Sequence, residues 1–326
     1  MKTNARFINT EKIEGYVYST GSNFNQLSEK VTGENSKNPG TKYISGDLDV
    51  AVDEAGLNVI TIHYTYVTEK YKSGSVNNTY VALKKIIDNP DKTWISSGKD
   101  NAFKVQCTQV ALALNDFIAA DGSKIAAIRN EGGFCSIVNE LGEENERNTF
   151  SADMLITKVT HVDANPEKNI MEDFVTVSGA IFGYGPVVLP VSFAVRNKMG
   201  MKYFEDLEAA PSSPVFTKVW GRINCMTIKT ERTEESAFGE AAVQTYERKN
   251  REYVITGTAK VPYDFGDEEV LTATDVSKMM QDRQVKLAEI EKRYNERQMA
   301  KVGGASFDAA AASKTNQGVP EGGFVF

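Results

Sequence analysis

Aromatic and basic residues interleave in several short stretches of this chain, and that mixture has a definite chemistry. Aromatic faces stack on unpaired nucleobases for about 1–3 kcal/mol each, while neighbouring cations track the phosphates. In the N-terminal half the residues expected to contact single-stranded DNA are Tyr64, Tyr66, Lys70, Tyr71, Lys72 and Lys104, with Trp94, Lys99 and Phe103 between them. In the C-terminal half they are Arg196, Lys198, Lys202, Tyr203, Lys218, Trp220 and Arg222. Residues 193–230 hold six basic and three acidic residues, a local cationic excess in an acidic chain. A further cluster comprises Tyr246, Arg248, Lys249, Arg251 and Tyr253. Large aromatics usually belong to cores, which is the competing reading for Phe204 and Trp220. Tyr66 and Tyr71, beside lysines, are the stronger groove candidates.

Other chemistries leave weaker marks. The chain has no Gly-x-x-x-x-Gly-Lys-Ser/Thr segment, no Gly-x-Ser-x-Gly elbow and no His-Glu-x-x-His helix. Asp47 and Asp49 share one face of a strand, as some metal-dependent nucleases require, but a solvated carboxylate pair looks the same. The histidines, His63 and His161, stand in separate halves without further ligands at zinc spacing. Cys107, Cys135 and Cys225 are far apart in sequence and set in apolar runs, which suits reduced core thiols. These patterns point to a binding protein rather than an enzyme, with neither cofactor nor metal.

The net charge of −7 argues against nucleic acid coating the whole surface but allows a local basic groove. An apolar fraction of 41% and a charged fraction of 25% are those of a soluble globular protein. No apolar run approaches the ~20 residues that span a bilayer, and Met1 to Gly15 has no apolar core of a signal peptide. The expectation is a cytoplasmic protein, away from membranes.

The elements that must position these residues are mostly strands. Alternation and β-branched or aromatic content mark strands at 7–18, 43–52, 59–67, 103–114 and 133–138, with a short helix at 79–88 after the third. A charged connector, 141–147, follows, and the order then recurs: strands at 150–162, 174–182 and 187–195, a helical turn at 202–207, strands at 215–228 and 244–258. Five strands with a helix after the third is the order of the OB-fold, a small barrel that binds oligonucleotides. Gly46 and Gly179, inside strands, suit the tight bends of such barrels. The fold class expected is mostly β: two OB-fold-like five-stranded β-barrels, over 1–141 and 149–265, then a C-terminal helix over 274–301 and a disordered tail over 302–326. Thr274 can cap that helix, and Val276, Met280, Leu287, Ile290 and Tyr294 form a narrow apolar stripe. The stripe suits a homo-oligomer contact or packing onto the second barrel. The tail ends in Phe324-Val-Phe326, aromatics of the kind a partner protein captures.

Ile44-Ser-Gly-Asp-Leu-Asp49, Val175-Thr-Val-Ser-Gly179, Tyr203-Phe-Glu-Asp-Leu207, Phe216-Thr-Lys-Val-Trp-Gly-Arg222 and the aromatic tip together resemble one family. It is that of single-stranded DNA-binding replication proteins, particularly those of bacteriophages. The resemblance implies tandem OB-folds, sequence-tolerant protection of single strands in replication or recombination, and docking of replication proteins on Phe324 and Phe326. One feature departs from it: bacterial members carry several acidic residues before the terminal Phe, where this chain has only Glu321. The alternative role is a structural β-barrel protein of a virion or its assembly.

Overall fold

The computed structural model describes residues 7–22, 25–119, 121–168, 170–183, 185, 187–234, 242–266 and 271–304. The N-terminal half runs β1 (Asn9–Ser19), β2 (Ser28–Val31), β3 (Lys42–Ala51), β4 (Val59–Thr68), α1 (Asn78–Ile87), α2 (Trp94–Ser97), β5 (Lys104–Leu114), β6 (Phe117–Ile118), β7 (Lys124–Ile125), β8 (Ile128–Glu131) and β9 (Phe134–Val138). Strands β1, β3, β4, β8 and β5 pair in that order, and β5 returns to β1, closing a five-stranded barrel. The β4–β8 pairing is the one parallel junction of the ring. This is the OB-type order expected from the sequence, with one correction. The strand that closes the barrel is β8, not the segment at 133–138, which becomes β9 and pairs with the other end of β5.

Alternation explains what fills the barrel. Ile44, Leu48 and Val50 of β3 and Ile60, Ile62 and Tyr64 of β4 are fully buried. Helix α1 plugs one end. Asn77 caps it by accepting the Thr79 amide at 3.1 Å. Its inward residues Leu83 and Ile86 are fully buried, each worth about 1.5–3 kcal/mol against exposure. Gly46 meets the loop after β1 at close quarters. Its φ is +131°, and a Cβ there would lie 2.5 Å from the Gln26 carbonyl oxygen, so only glycine fits.

The C-terminal half repeats the order: β10 (Asn148–Val162), β11 (Phe174–Gly183), β12 (Val187–Val195), α3 (Lys198–Glu205), β13 (Val215–Glu234) and β14 (Ala242–Thr258). Its pairings, β10–β11–β12–β14–β13 and back to β10, trace the same circuit. The parallel junction here is the single pair Ala194–Val254. The charged connector does not separate the halves. Asn9–Ile13 of β1 pair antiparallel with Ala152–Asn148 of β10, so one sheet runs through both. Arg147 of the connector reaches back to Glu54 at 2.7 Å and holds that carboxyl down to about 2. Asn58 accepts the Cys225 amide at 2.8 Å, a further tie across the halves.

Helix α4 (Ala273–Gly304) begins on a cap at Thr272 rather than Thr274. Asp275 accepts from the Thr272 amide and hydroxyl, while Thr272 accepts from the Asp275 amide, the reciprocal pattern of a capping box. Val276, Met279 and Met280 pack with Leu155, Phe182, Val188 and Phe216 of the second half. Farther along, Arg283 meets Asp116 of the loop before β6, and Glu291 meets Lys124 at 2.8 Å. The helix therefore straps the second half to the first, and the start of its stripe, Val276 and Met280, is used within the chain. Among the described residues no helix is long and apolar enough to cross a membrane.

The cysteines are buried, and none of them forms a disulfide. Two of them are not far apart in space. Cys107 and Cys135 stand opposite each other in the β5–β9 ladder, and their mutual hydrogen bond and burial push the Cys135 thiol well above its ordinary range.

Candidate nucleic-acid interface

Period two places Tyr64 and Tyr66 on one face of β4, but a β-bulge separates them. Ile44 pairs with Val67 and Gly46 with Tyr64, so Thr65 and Tyr66 stand opposite Ser45 alone. The extra residue reverses the facing of the residues after it. Val67 packs on the core, and Tyr66 turns out with 47% of its surface exposed. Tyr64 is corrected to a core residue: it is wholly buried, with its hydroxyl 3.6 Å from Cys107 Sγ. Tyr64→Phe should leave ligand affinity unchanged and cost about 1 kcal/mol of stability in a urea melt, the usual worth of a neutral buried hydrogen bond.

Tyr66 does not stand alone. It leans on Tyr43 of β3, ring centroids 4.7 Å apart and planes at 42°. Lys30 of β2 pairs with Tyr43 across the ladder and donates to Ser45 Oγ at 2.7 Å. The loop after β4 folds back on itself, Lys70 bridging Val76 and the Tyr71 amide donating to Ser75. It presents Lys70, Tyr71 and Lys72 to solvent, Tyr71 at 43% exposed. Sequence reasoning missed Tyr43 and Lys30 because nothing local links them to Tyr66. Further down the same strands the character changes. Asp47 bonds His63 Nδ1 at 2.6 Å, and Asp49 accepts from Ser19 and Thr61. The acid pair is thus engaged by its strand neighbours.

The second group lies on the other half. Lys218, Trp220 and Arg222 alternate along β13 with the buried Val219, Gly221 and Ile223, so all three face outward as period two requires. Trp220 is 40% exposed, which settles it as a surface aromatic, whereas Phe204 is core. The Trp220 indole covers Gly257 of β14, where a Cβ would sit 2.5 Å from its Nε1. Gly257 also lines a groove of about 300 Å³ between β14 and α3, with Met199 and Tyr203 opposite. Asn197 caps α3 by accepting the Gly200 amide at 2.6 Å. Lys198, Met199 and Lys202 are exposed on that helix, and Tyr203 is partly buried edge-on to Phe204.

Two expected contacts have other neighbours as well. Arg196 pairs with Glu252 through Nη2 at 2.6 Å and lies 4.9 Å from the Phe174 ring. Lys104 sits over the Tyr16 ring at 6.0 Å, apart from Tyr66 and its neighbours. Phe324 and Phe326 lie outside the described residues.

One cluster was not foreseen. Among the described residues, His161, Asp163 and Asp173 bring ligand-type atoms within 4.8 Å of one another, all three exposed. His161 Nδ1 faces Glu205 at 2.7 Å, and this bond raises the imidazole above its usual range.

The YorF family model matches residues 22–293, which take in the strands from β2 to β14 and most of α4 but not β1. Among curated proteins none matches the chain. The match covers well over half of the sequence, and the chain belongs to the YorF family.

Proposed function

We propose that this protein binds single-stranded DNA without sequence preference and protects it during replication or recombination, as a phage-type protein would. The observation that carries the reading is the pair of exposed Tyr66 and half-buried Tyr43 at the end of the β3–β4 face of an OB-type barrel, beside the exposed lysines Lys30, Lys70 and Lys72. Stacking on the tyrosines supplies affinity that every base can use, and the lysines answer the phosphates. Lys218, Trp220 and Arg222 extend the contact to the second half. The acidic remainder of the chain confines binding to these patches. Such a protein works in the cytoplasm, where free thiols stay reduced.

The test is titration with labelled oligo-dT beside duplex DNA of equal length. Single strands should bind more tightly, quench tyrosine and tryptophan fluorescence, and lose affinity as salt rises. Equal affinity for duplex, or binding indifferent to salt, would count against the reading.

A further inference from the structure

The seam between the halves holds a carboxyl that the binding surfaces do not use. Glu11 of β1 is 3% exposed, paired in the ladders with Phe150 of β10 and Val110 of β5. Its Oε1 lies 2.9 Å from the Tyr253 hydroxyl of β14, and its Oε2 is buried without a partner. The same hydroxyl is 2.8 Å from Asn130 Oδ1 of β8, and Asn130 Nδ2 donates to the Thr61 carbonyl of β4 at 3.0 Å. A phenol has one proton and cannot donate to both acceptors. The contacts are consistent only if Glu11 carries a proton and donates it to Tyr253, which then donates to Asn130. We propose that Glu11 is a proton-operated latch on the seam: neutral, it completes a hydrogen-bond chain from β1 through β14 to β8 and β4; ionised, it breaks that chain and loosens β14 from the first barrel.

The groups facing Glu11 agree. From β14 come Tyr253 and Arg251, whose guanidinium donates to the Ile128 carbonyl and lies 3.5 Å from Asn130 Oδ1. Arg129 and Glu131 of β8 pair with each other at 3.1 Å, and β13 brings the Cys225 thiol near Tyr253. Neither Val110 nor Phe150 carries charge. Burial outweighs the Tyr253 bond and the attraction of Arg251, and pushes the carboxyl up to about 7. The folded value lies above the ordinary 4.5, so the stabilisation is complete below that value and is lost as pH rises through about 7.

The test is amide hydrogen exchange on the full chain between about pH 5.5 and about pH 8.5, expressed as protection factors to remove the intrinsic pH dependence. In the wild type, protection of 128–131 and 251–255 should fall about tenfold relative to β3 across that range. In Glu11→Gln it should stay flat, because the neutral amide still donates to Tyr253 at every pH. A fall that persists in the Gln variant, or none in the wild type, overturns the latch. If the Gln variant does not fold, infrared spectroscopy of the wild type decides. A protonated-carboxyl band present near pH 6 and gone near pH 8.5 supports the latch, and no band near pH 6 overturns it.

Discussion

Asp116→Ala should destabilise the protein by about 3–5 kcal/mol, the usual cost of removing one member of a buried ion pair. Arg283 donates to this carboxylate through Nε at 3.3 Å and Nη2 at 3.2 Å. The two side chains are only 12% and 7% exposed, so water screens the pair little. Truncating Asp116 leaves a guanidinium at the surface of the first barrel with neither partner nor full hydration. The variant should melt roughly 10 °C lower at the usual 2–4 °C per kcal/mol for chains of this size. Replacing both residues by apolar ones, Asp116→Leu with Arg283→Met, should recover most of the loss, since a buried pair and a well-packed apolar pair are often close in energy. The exposed Lys124–Glu291 pair serves as control, because removing it should change stability by less than about 1 kcal/mol. A urea midpoint for Asp116→Ala within error of wild type would show that α4 is not clamped to the first barrel at this point.

Tyr66→Ala combined with Tyr71→Ala should weaken oligo-dT binding at least about 30-fold, because each ring removed takes away a stacking interaction of about 1–3 kcal/mol. Both rings are more than two-fifths exposed, so their loss should cost the fold little. The tyrosine variant should keep the salt dependence of the wild type, because no cation has been removed. Lys70→Ala with Lys72→Ala should do the reverse, losing affinity and flattening the log–log salt slope by about 1.4, two phosphates at about 0.7 each for single strands. Replacing Lys286 and Lys292 on α4 should do far less than either. If the tyrosine and α4 variants bind alike, the β3–β4 surface is not where DNA lies.

Local pattern determined much of this protein. Alternation in Val59–Thr68 and Val187–Val195 made strands, the spacing of Tyr80 and Leu83 made α1, and the recurrence of element order pointed to two similar circuits. Period two also put Lys218, Trp220 and Arg222 on one face of their strand, which the fold turns outward. These features depend on residues within one turn or one pleat of each other, and a sequence states such relations directly. The rest depended on partners brought from elsewhere. The bulge that turns Tyr66 out while Tyr64 stays in arises from its register against β3. The barrel closes on β8 because that strand, which α1, α2 and β5 to β7 separate from β4 in the chain, pairs parallel with it. Arg196 meets Glu252, and Cys107 meets Cys135, only through strands brought together from elsewhere. Glu11 reads as an ordinary surface carboxylate until Tyr253, 242 residues away, closes over it. Register, ring closure and burial are set by which distant surfaces pack, and only the tertiary structure fixes those pairings.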